Sequence, residues 1–190
     1  LAEGAEVATC DINPELVSQL KRNHPSVYCE EMDVADAQAV QQFTQSAIGK
    51  LGGLDCLVNN AGIAGPTSPI EEIPEADWER CLSVCLSSQY FFTKACVSSL
   101  RKSSNPSIVN ISSAAGKYGF AFRTPYSTAK WGVIGLTKSL AIELGPDQIR
   151  VNAILPGLVS GERQKRVLTA KAEKRGVSFG EIEQEAFSYT

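Results

Sequence analysis

Leu54-Asp-Cys-Leu-Val-Asn-Asn-Ala-Gly62 is a short apolar run that empties into asparagine, alanine and glycine. Ile108-Val-Asn-Ile-Ser-Ser113 and Val151-Asn-Ala-Ile-Leu-Pro-Gly157 have the same form. Short continuous apolar runs, as opposed to strict alternation of apolar and polar residues, belong to strands covered on both faces, which is the condition of parallel sheets. The three segments therefore read as buried parallel strands that open into loops.

Helical patterns separate these runs, as a parallel α/β sheet requires. Ala5 to Cys10 reads as a first strand, and Asn13 followed by Pro14 as an N-cap with proline at the first helical position, opening a helix to about Arg22. Val27 to Met32 is the next strand. Asp36 caps an amphipathic helix that stops at Gly52, ahead of the strand Leu54 to Val58. Pro74 opens one long helix to the Ser103-Ser-Asn-Pro106 turn, and after the strand Ile108 to Ile111, Pro125 opens a helix ending at Gly145-Pro146. Ile149 to Leu155 is the last readable strand. No repeat or low-complexity linker interrupts the series.

Composition narrows the function. At 190 residues, with 43% hydrophobic and 21% charged residues, the chain suits one domain with one sizeable core. A net charge of -3 gives no hint of a nucleic-acid partner. No apolar stretch approaches the ~20 residues of a membrane span and no secretory leader pattern is seen, so a cytoplasmic protein is expected. The six cysteines (10, 29, 56, 81, 85 and 96) contain no C-x-x-C and read as reduced, core-filling thiols. Cys81 and Cys85 lie one helical turn apart, but the only histidine, His24, is far off in sequence, and no metal site is expected.

Chemistry concentrates at Tyr126-Ser-Thr-Ala-Lys130. Four residues make about one helical turn, so the two side chains share a face. A phenol with a reference pKa near ~10 exchanges protons poorly at neutral pH until a cation stabilises its phenolate, and Lys130 is placed to do that. Ser113 would hold a substrate oxygen beside the Tyr126 hydroxyl, which completes the parts for proton transfer at a carbonyl or alcohol.

Taken together, N-N-A-G at the end of a strand, the serine, Y-x-x-x-K and a late P-G resemble the short-chain dehydrogenase/reductase family, in the family's order and with its 13-residue step from Ser113 to Tyr126. The resemblance covers essentially all of residues 1–190. It implies a three-layer, doubly wound parallel sheet of order 3-2-1-4-5-6, seen here without its first and last strands. Leu1-Ala-Glu-Gly4 looks like the tail of a helix, and about 20 upstream residues carrying the glycine-rich phosphate turn are expected before it, with a final strand after Thr190. A relative that has lost dinucleotide binding is the alternative.

The resemblance also implies roles. Tyr126 is the acid/base, Ser113 orients the substrate oxygen, and Lys130 assists Tyr126 while holding the ribose of the cofactor. Asp11, at the end of the second strand of such a sheet, faces the adenosine ribose; it would accept hydrogen bonds from the hydroxyls of NAD and repel the 2′-phosphate of NADP by about 4 kcal/mol per charge pair at an effective dielectric near ~20. The other reading of Asp11 is a turn residue before Asn13. Asp33 and Val34 match the adenine contacts, Asn60, Ala61 and Gly62 the adenine-ribose wall, and Pro156, Gly157 and Val159 the nicotinamide loop. Cys85 in Val84-Cys-Leu86, 28 residues before Ser113, occupies the place of the family's water-binding asparagine, and a thiol is a weak donor and acceptor.

The implied activity is NAD-dependent oxidation of a secondary alcohol, or its reverse, on a small-molecule substrate. An NADPH-dependent 3-oxoacyl thioester reductase shares the motifs, and a non-catalytic regulator or scaffold would explain Cys85. Lys117 to Arg123 should line the substrate pocket, with Tyr118 and Phe122 as walls. Arg123 reads as a surface arginine or as a partner for a substrate carboxylate or phosphate. The charged stretch within 160–190 reads as a mobile substrate lid or a solvated helical hairpin. The two long helices, which pack against symmetry mates in related enzymes, imply a homodimer or homotetramer.

Overall fold

A computed structural model describes residues 1–188. The order is β1 (Ala8–Asp11), α1 (Pro14–Asn23), β2 (Tyr28–Glu31), α2 (Ala37–Leu51), β3 (Cys56–Asn59), α3 (Glu75–Leu82), α4 (Ser88–Leu100), β4 (Ser107–Ile111), α5 (Thr124–Leu144), β5 (Arg150–Ile154), α6 (Glu162–Arg175) and α7 (Phe179–Ser188). The helix starts obey their local chemistry. The Asn13 side chain accepts from the N–H groups of Glu15 and Leu16 at 2.9 and 3.2 Å, and Asp36 accepts from Gln38 and Ala39 at 2.8 and 3.1 Å. Gly52 closes α2 in the left-handed conformation, φ 73°.

Two boundaries differ from the sequence reading. β1 begins at Ala8 and takes in Asp11, which pairs with Glu31. The helix opened by Pro74 is not a uniform α-helix: between α3 and α4 it widens to a π-helical turn over Ser83–Ser87, centred on Cys85. No proline or glycine marks this place, so the pattern of apolar residues could not show it. Such turns shift every following side chain around the axis and recur at functional sites.

All strand pairs are parallel. β1 and β2 form one ladder and β3, β4 and β5 another, which is how the order 3-2-1-4-5-6 divides at its first strand. The halves meet where α2 packs on α4: Phe43 stacks on Tyr28 at 5.9 Å and meets Phe92 edge-on at 6.2 Å. Under the larger sheet lie Cys96, Leu100, Ile108, Leu144, Ile149 and Val151. On its opposite face Cys56, Val58 and Ile154 are exposed, so Cys56 does not fill a core as expected, while all six thiols are free.

A buried polar chain ties strands to helix. Asn59 Nδ2 donates to Asn110 Oδ1 at 2.8 Å, Asn110 Nδ2 to Thr137 Oγ1 at 2.9 Å, and Thr137 Oγ1 to the Val133 carbonyl at 2.7 Å. A buried amide left unpaired costs about 1–3 kcal/mol, so this chain admits one register of β3, β4 and α5. Residues 162–188 form a helical hairpin with its own small core of Leu168, Ala172 and Ile182, and Lys174 joins it to Glu72 at 2.6 Å.

Candidate active site

α5 carries Tyr126 and Lys130 on one face, with the Lys130 Nζ 5.7 Å from the Tyr126 ring centroid. Lys130 is only 3% exposed and is held at both ends. Its Nζ donates to the Ile111 carbonyl at 2.8 Å, and its own carbonyl accepts from Ser112 Oγ at 2.8 Å. A Cβ on Gly116 would lie 2.7 Å from the Lys130 carbonyl oxygen, so only glycine lets α5 come this close. The ladder between β4 and β5 continues past the strands: Ser112 N–H donates to Ile154 O and Ala114 N–H to Pro156 O, both at 2.8 Å. Ser113 is therefore set beside Pro156, and its hydroxyl accepts from the Ala115 N–H at 3.2 Å.

The surroundings of Lys130 are unusual for a lysine. Burial holds its ammonium below the ordinary lysine range; negative charge on Cys85 opposes that fall and Arg163 adds to it. Cys85 is fully buried, with Sγ 3.4 Å from the Ile63 carbonyl. A hydrogen bond with Cys81 holds the Cys85 thiol below its usual range, burial opposes this, and the Lys130 charge assists it. The same hydrogen bond and burial push Cys81 up. Gln89, one turn on, donates to the Ile111 and Cys85 carbonyls at 3.4 and 3.5 Å, while its Oε1 has no partner among the described residues.

Arg123 is not a surface residue. It is 8% exposed, its guanidinium carbon lies 4.8 Å from the Tyr126 ring centroid, and Nη1 donates to Thr67 Oγ1 at 3.2 Å. The preceding Phe122 adopts φ 64°, a conformation costly for an aromatic residue, and the Phe122 carbonyl accepts from Ser68 N–H at 3.1 Å. From α6, Arg163 reaches the other side of this region: its guanidinium carbon is 5.7 Å from the same centroid and Nη2 donates to Ile63 O at 3.0 Å. A cavity of about 610 Å³ lies between the segment before α5 and the hairpin, lined by Tyr118, Phe122, Lys171, Arg175 and Glu185 but by none of Ser113, Tyr126 and Lys130.

Apart from Tyr126 and Lys130 on α5, the expected cofactor residues stand at or after the carboxyl ends of strands, where open α/β sheets bind ligands. Asp11 ends β1, is exposed, and accepts from the Asn13 N–H at 2.8 Å, so it does serve the turn. Asp33 accepts from Ala35 N–H at 3.0 Å and pairs with Arg80 at 2.6 Å. Burial raises its carboxyl, but the hydrogen bonds from Arg80 and Ala35 and the Arg80 charge outweigh that and hold it below the usual range. Val34 is buried beside it. Asn60 and Ala61 are exposed after β3, and Gly62 faces α5: a Cβ there would lie 3.7 Å from both Lys130 Nζ and Cys85 Sγ. Pro156, Gly157 and Val159 follow β5, with Gly157 and Val159 exposed. Asp11, Asp33 and Val34 stand at the strand ends of the smaller sheet, and Asn60, Ala61, Gly62, Pro156, Gly157 and Val159 at those of the larger. Ser112, Gly116, Gln89 and Arg80 were not distinguished in the sequence, since each acts through a partner far along the chain.

The family model described as short chain dehydrogenase matches residues 1–172. The chain belongs to this family. It is 39% identical over 170 residues to a probable galactose dehydrogenase of Rhizobium meliloti (strain 1021), covering 87% of this chain and 66% of that protein. To a 3-oxoacyl-(acyl-carrier-protein) reductase of Thermotoga maritima it is 35% identical over 180 residues, covering 93% and 72%. The crystal structure of an NAD+-bound xylitol dehydrogenase superposes with a TM-score of 0.84 at 29% identity, covering 90% of this chain and 68% of that one. The chain spans from about half to 72% of the length of such curated relatives. Among the described residues no group of three or more His, Cys, Asp or Glu is placed to hold a metal, and no helix is long and apolar enough to cross a membrane.

The fit at Gly116 generates a stability test. Gly116→Ala must push α5 away from β4, and overpacking of this kind costs about 1–3 kcal/mol. Gly119 has nothing within 4 Å of its would-be Cβ, so Gly119→Ala is the control. Denaturant midpoints of the full-length protein should fall for the first variant and hold for the second; equal midpoints would show that the close approach is unimportant.

Proposed function

We propose that this family oxidoreductase transfers hydride between NAD(H) and a secondary alcohol or ketone, with Tyr126 as acid/base, Ser113 orienting the substrate oxygen and Lys130 holding ribose hydroxyls. The observation that carries this reading is Lys130, buried and fixed to the end of β4 within reach of Tyr126. Bound NAD supplies the hydride acceptor. The fit is supported by Gly62, whose missing side chain leaves room against Lys130 Nζ, and by the exposed Asp11 carboxylate at the end of β1.

In this reading the Tyr126 hydroxyl gives or takes a proton at the substrate oxygen. As that proton leaves, negative charge grows on the phenol oxygen in a site from which water is largely excluded, and the nearby Lys130 ammonium stabilises it more strongly than it would in bulk solvent. Ser113 donates to the same substrate oxygen and fixes its direction. Ile111 and Ser112 hold Lys130 in place while this happens.

The NADPH-dependent 3-oxoacyl thioester reductase remains the second reading, favoured by the likeness to the Thermotoga maritima reductase. Assembly as a homodimer or homotetramer through the long helices is supported by exposed Tyr90 on α4 and by Trp131 and Ile142 on α5, 52% and 81% exposed. Sedimentation of the full-length protein at micromolar concentration should give a dimer or tetramer, and a monomer would remove this part of the reading.

Tyr126→Phe keeps the ring and removes the proton carrier. Turnover should fall by at least ~100-fold with little change in NAD affinity measured by titration. Near-normal turnover would overturn the assignment.

For the cofactor, the wild-type enzyme should prefer NAD over NADP by more than ~100-fold in kcat/KM, about 2.7 kcal/mol of discrimination. Asp11→Ser should weaken NAD and improve NADP. Indifference of the wild type to the 2′-phosphate, or equal losses with both cofactors, would leave Asp11 as a turn residue and favour the NADPH reductase.

A further inference from the structure

Three cations converge on one phenol. Lys130 has the Ile111 carbonyl and the Cys85 thiol, but the two arginines are different: among the described residues, neither Arg123 nor Arg163 has a carboxylate within ion-pair distance. Their hydrogen bonds go to neutral acceptors, Thr67 Oγ1 and Ile63 O. Elsewhere on the hairpin the protein supplies the missing charge, since Lys171 and Arg175 both pair with Glu185.

A guanidinium as buried as Arg123 ordinarily has an acid beside it, because an uncompensated buried charge is costly. Burial lowers its proton affinity, Tyr126 and Cys81 oppose that fall, and Arg163 adds to it. The strained turn at Phe122 directly precedes Arg123 in the chain. Burial and a strained neighbour fall on one guanidinium with no carboxylate partner among the described residues, at the face of Tyr126, which is the arrangement of a site waiting for an anion.

We propose that the substrate carries an anionic group, received by the Arg123 and Arg163 guanidiniums while its hydroxyl or carbonyl lies at Tyr126. This rests on the dehydrogenase reading for the position of the reacting oxygen, but the anion site itself does not. The forked guanidinium matches a carboxylate or a phosphate equally in charge and in paired hydrogen bonds. Arg123, the more buried of the two, sets the charge requirement; Arg163, delivered by α6, completes the clamp only when the hairpin is in place.

The test is direct binding to the full-length protein, with and without NAD, of three probes on one carbon chain: butyrate, monobutyl phosphate and butyramide. At least one anion should bind about ten-fold or more tightly than the amide, as charge-assisted hydrogen bonds require, and the stronger anion identifies carboxylate or phosphate. The preference should shrink in Arg123→Gln and in Arg163→Gln; the second lies at an exposed position, so its folding is not in question. Equal binding of amide and anions, or a preference that survives both substitutions, overturns the proposal. Turnover of hydroxy acids against their methyl esters separates the two readings. Oxidation of esters with no advantage for the acids removes the clamp and keeps the dehydrogenase. An anion preference without oxidation of any alcohol removes the dehydrogenase and keeps the clamp.

Discussion

The two hydrogen bonds that join Lys130 to the end of β4 are the constraint on which the rest of the site depends. Ser112 holds the Lys130 carbonyl and Ile111 holds its ammonium, so one residue of α5 is fixed to the last residue of β4 and the residue that follows it. Without them the axial position and rotation of α5 would rest on non-directional apolar packing alone, and a helix can slide along such a surface at small cost. Tyr126 lies one turn earlier on the same face, so whatever fixes Lys130 also fixes the phenol. The absence of a side chain at Gly116 is what allows the helix to approach closely enough for both bonds to form.

That arrangement has an electrostatic consequence. Bringing an ammonium out of water is unfavourable, and the protein offsets it locally with a carbonyl and with a thiol whose own proton is loosened by Cys81 and by the lysine itself. The π-helical turn at Ser83–Ser87 places Cys85 under Lys130 and leaves Gln89 reaching the same Ile111 carbonyl. A neutral asparagine would offer hydrogen bonds there. A thiol is the weaker donor and acceptor, and the hydrogen bond Cys85 makes goes to the Ile63 carbonyl.

Much of this was legible in the sequence, for reasons that are local. Asn13-Pro14, Asp36 and Gly52 announce helix ends because capping is settled within four residues. Tyr126 and Lys130 are one turn apart whatever the tertiary context. The strand runs at Leu57, Ile108 and Val151 are apolar because both faces of a parallel sheet are ordinarily covered. The π-helical turn was not legible, because its residues are ordinary helix formers and only the packing of α3 and α4 on their neighbours selects the wider turn. The sequence leaves Arg123 open between a surface arginine and an anion partner because arginine is usually exposed, and nothing in Phe122-Arg123 signals a left-handed residue that precedes a buried side chain.

The sequence by itself determined the elements, their order, the parallel α/β class and the pair of residues that can carry a proton, since each follows from interactions among residues a turn or a strand apart. The tertiary structure decided the electrostatics. That Lys130 is buried against the end of β4, and that two arginines without acids meet over Tyr126, depends on contacts between residues such as Arg163 and Ile63, or Arg123 and Thr67, which lie far apart in the chain. Desolvation and charge pairing are properties of a closed surface, and no local pattern of residues encodes where that surface closes.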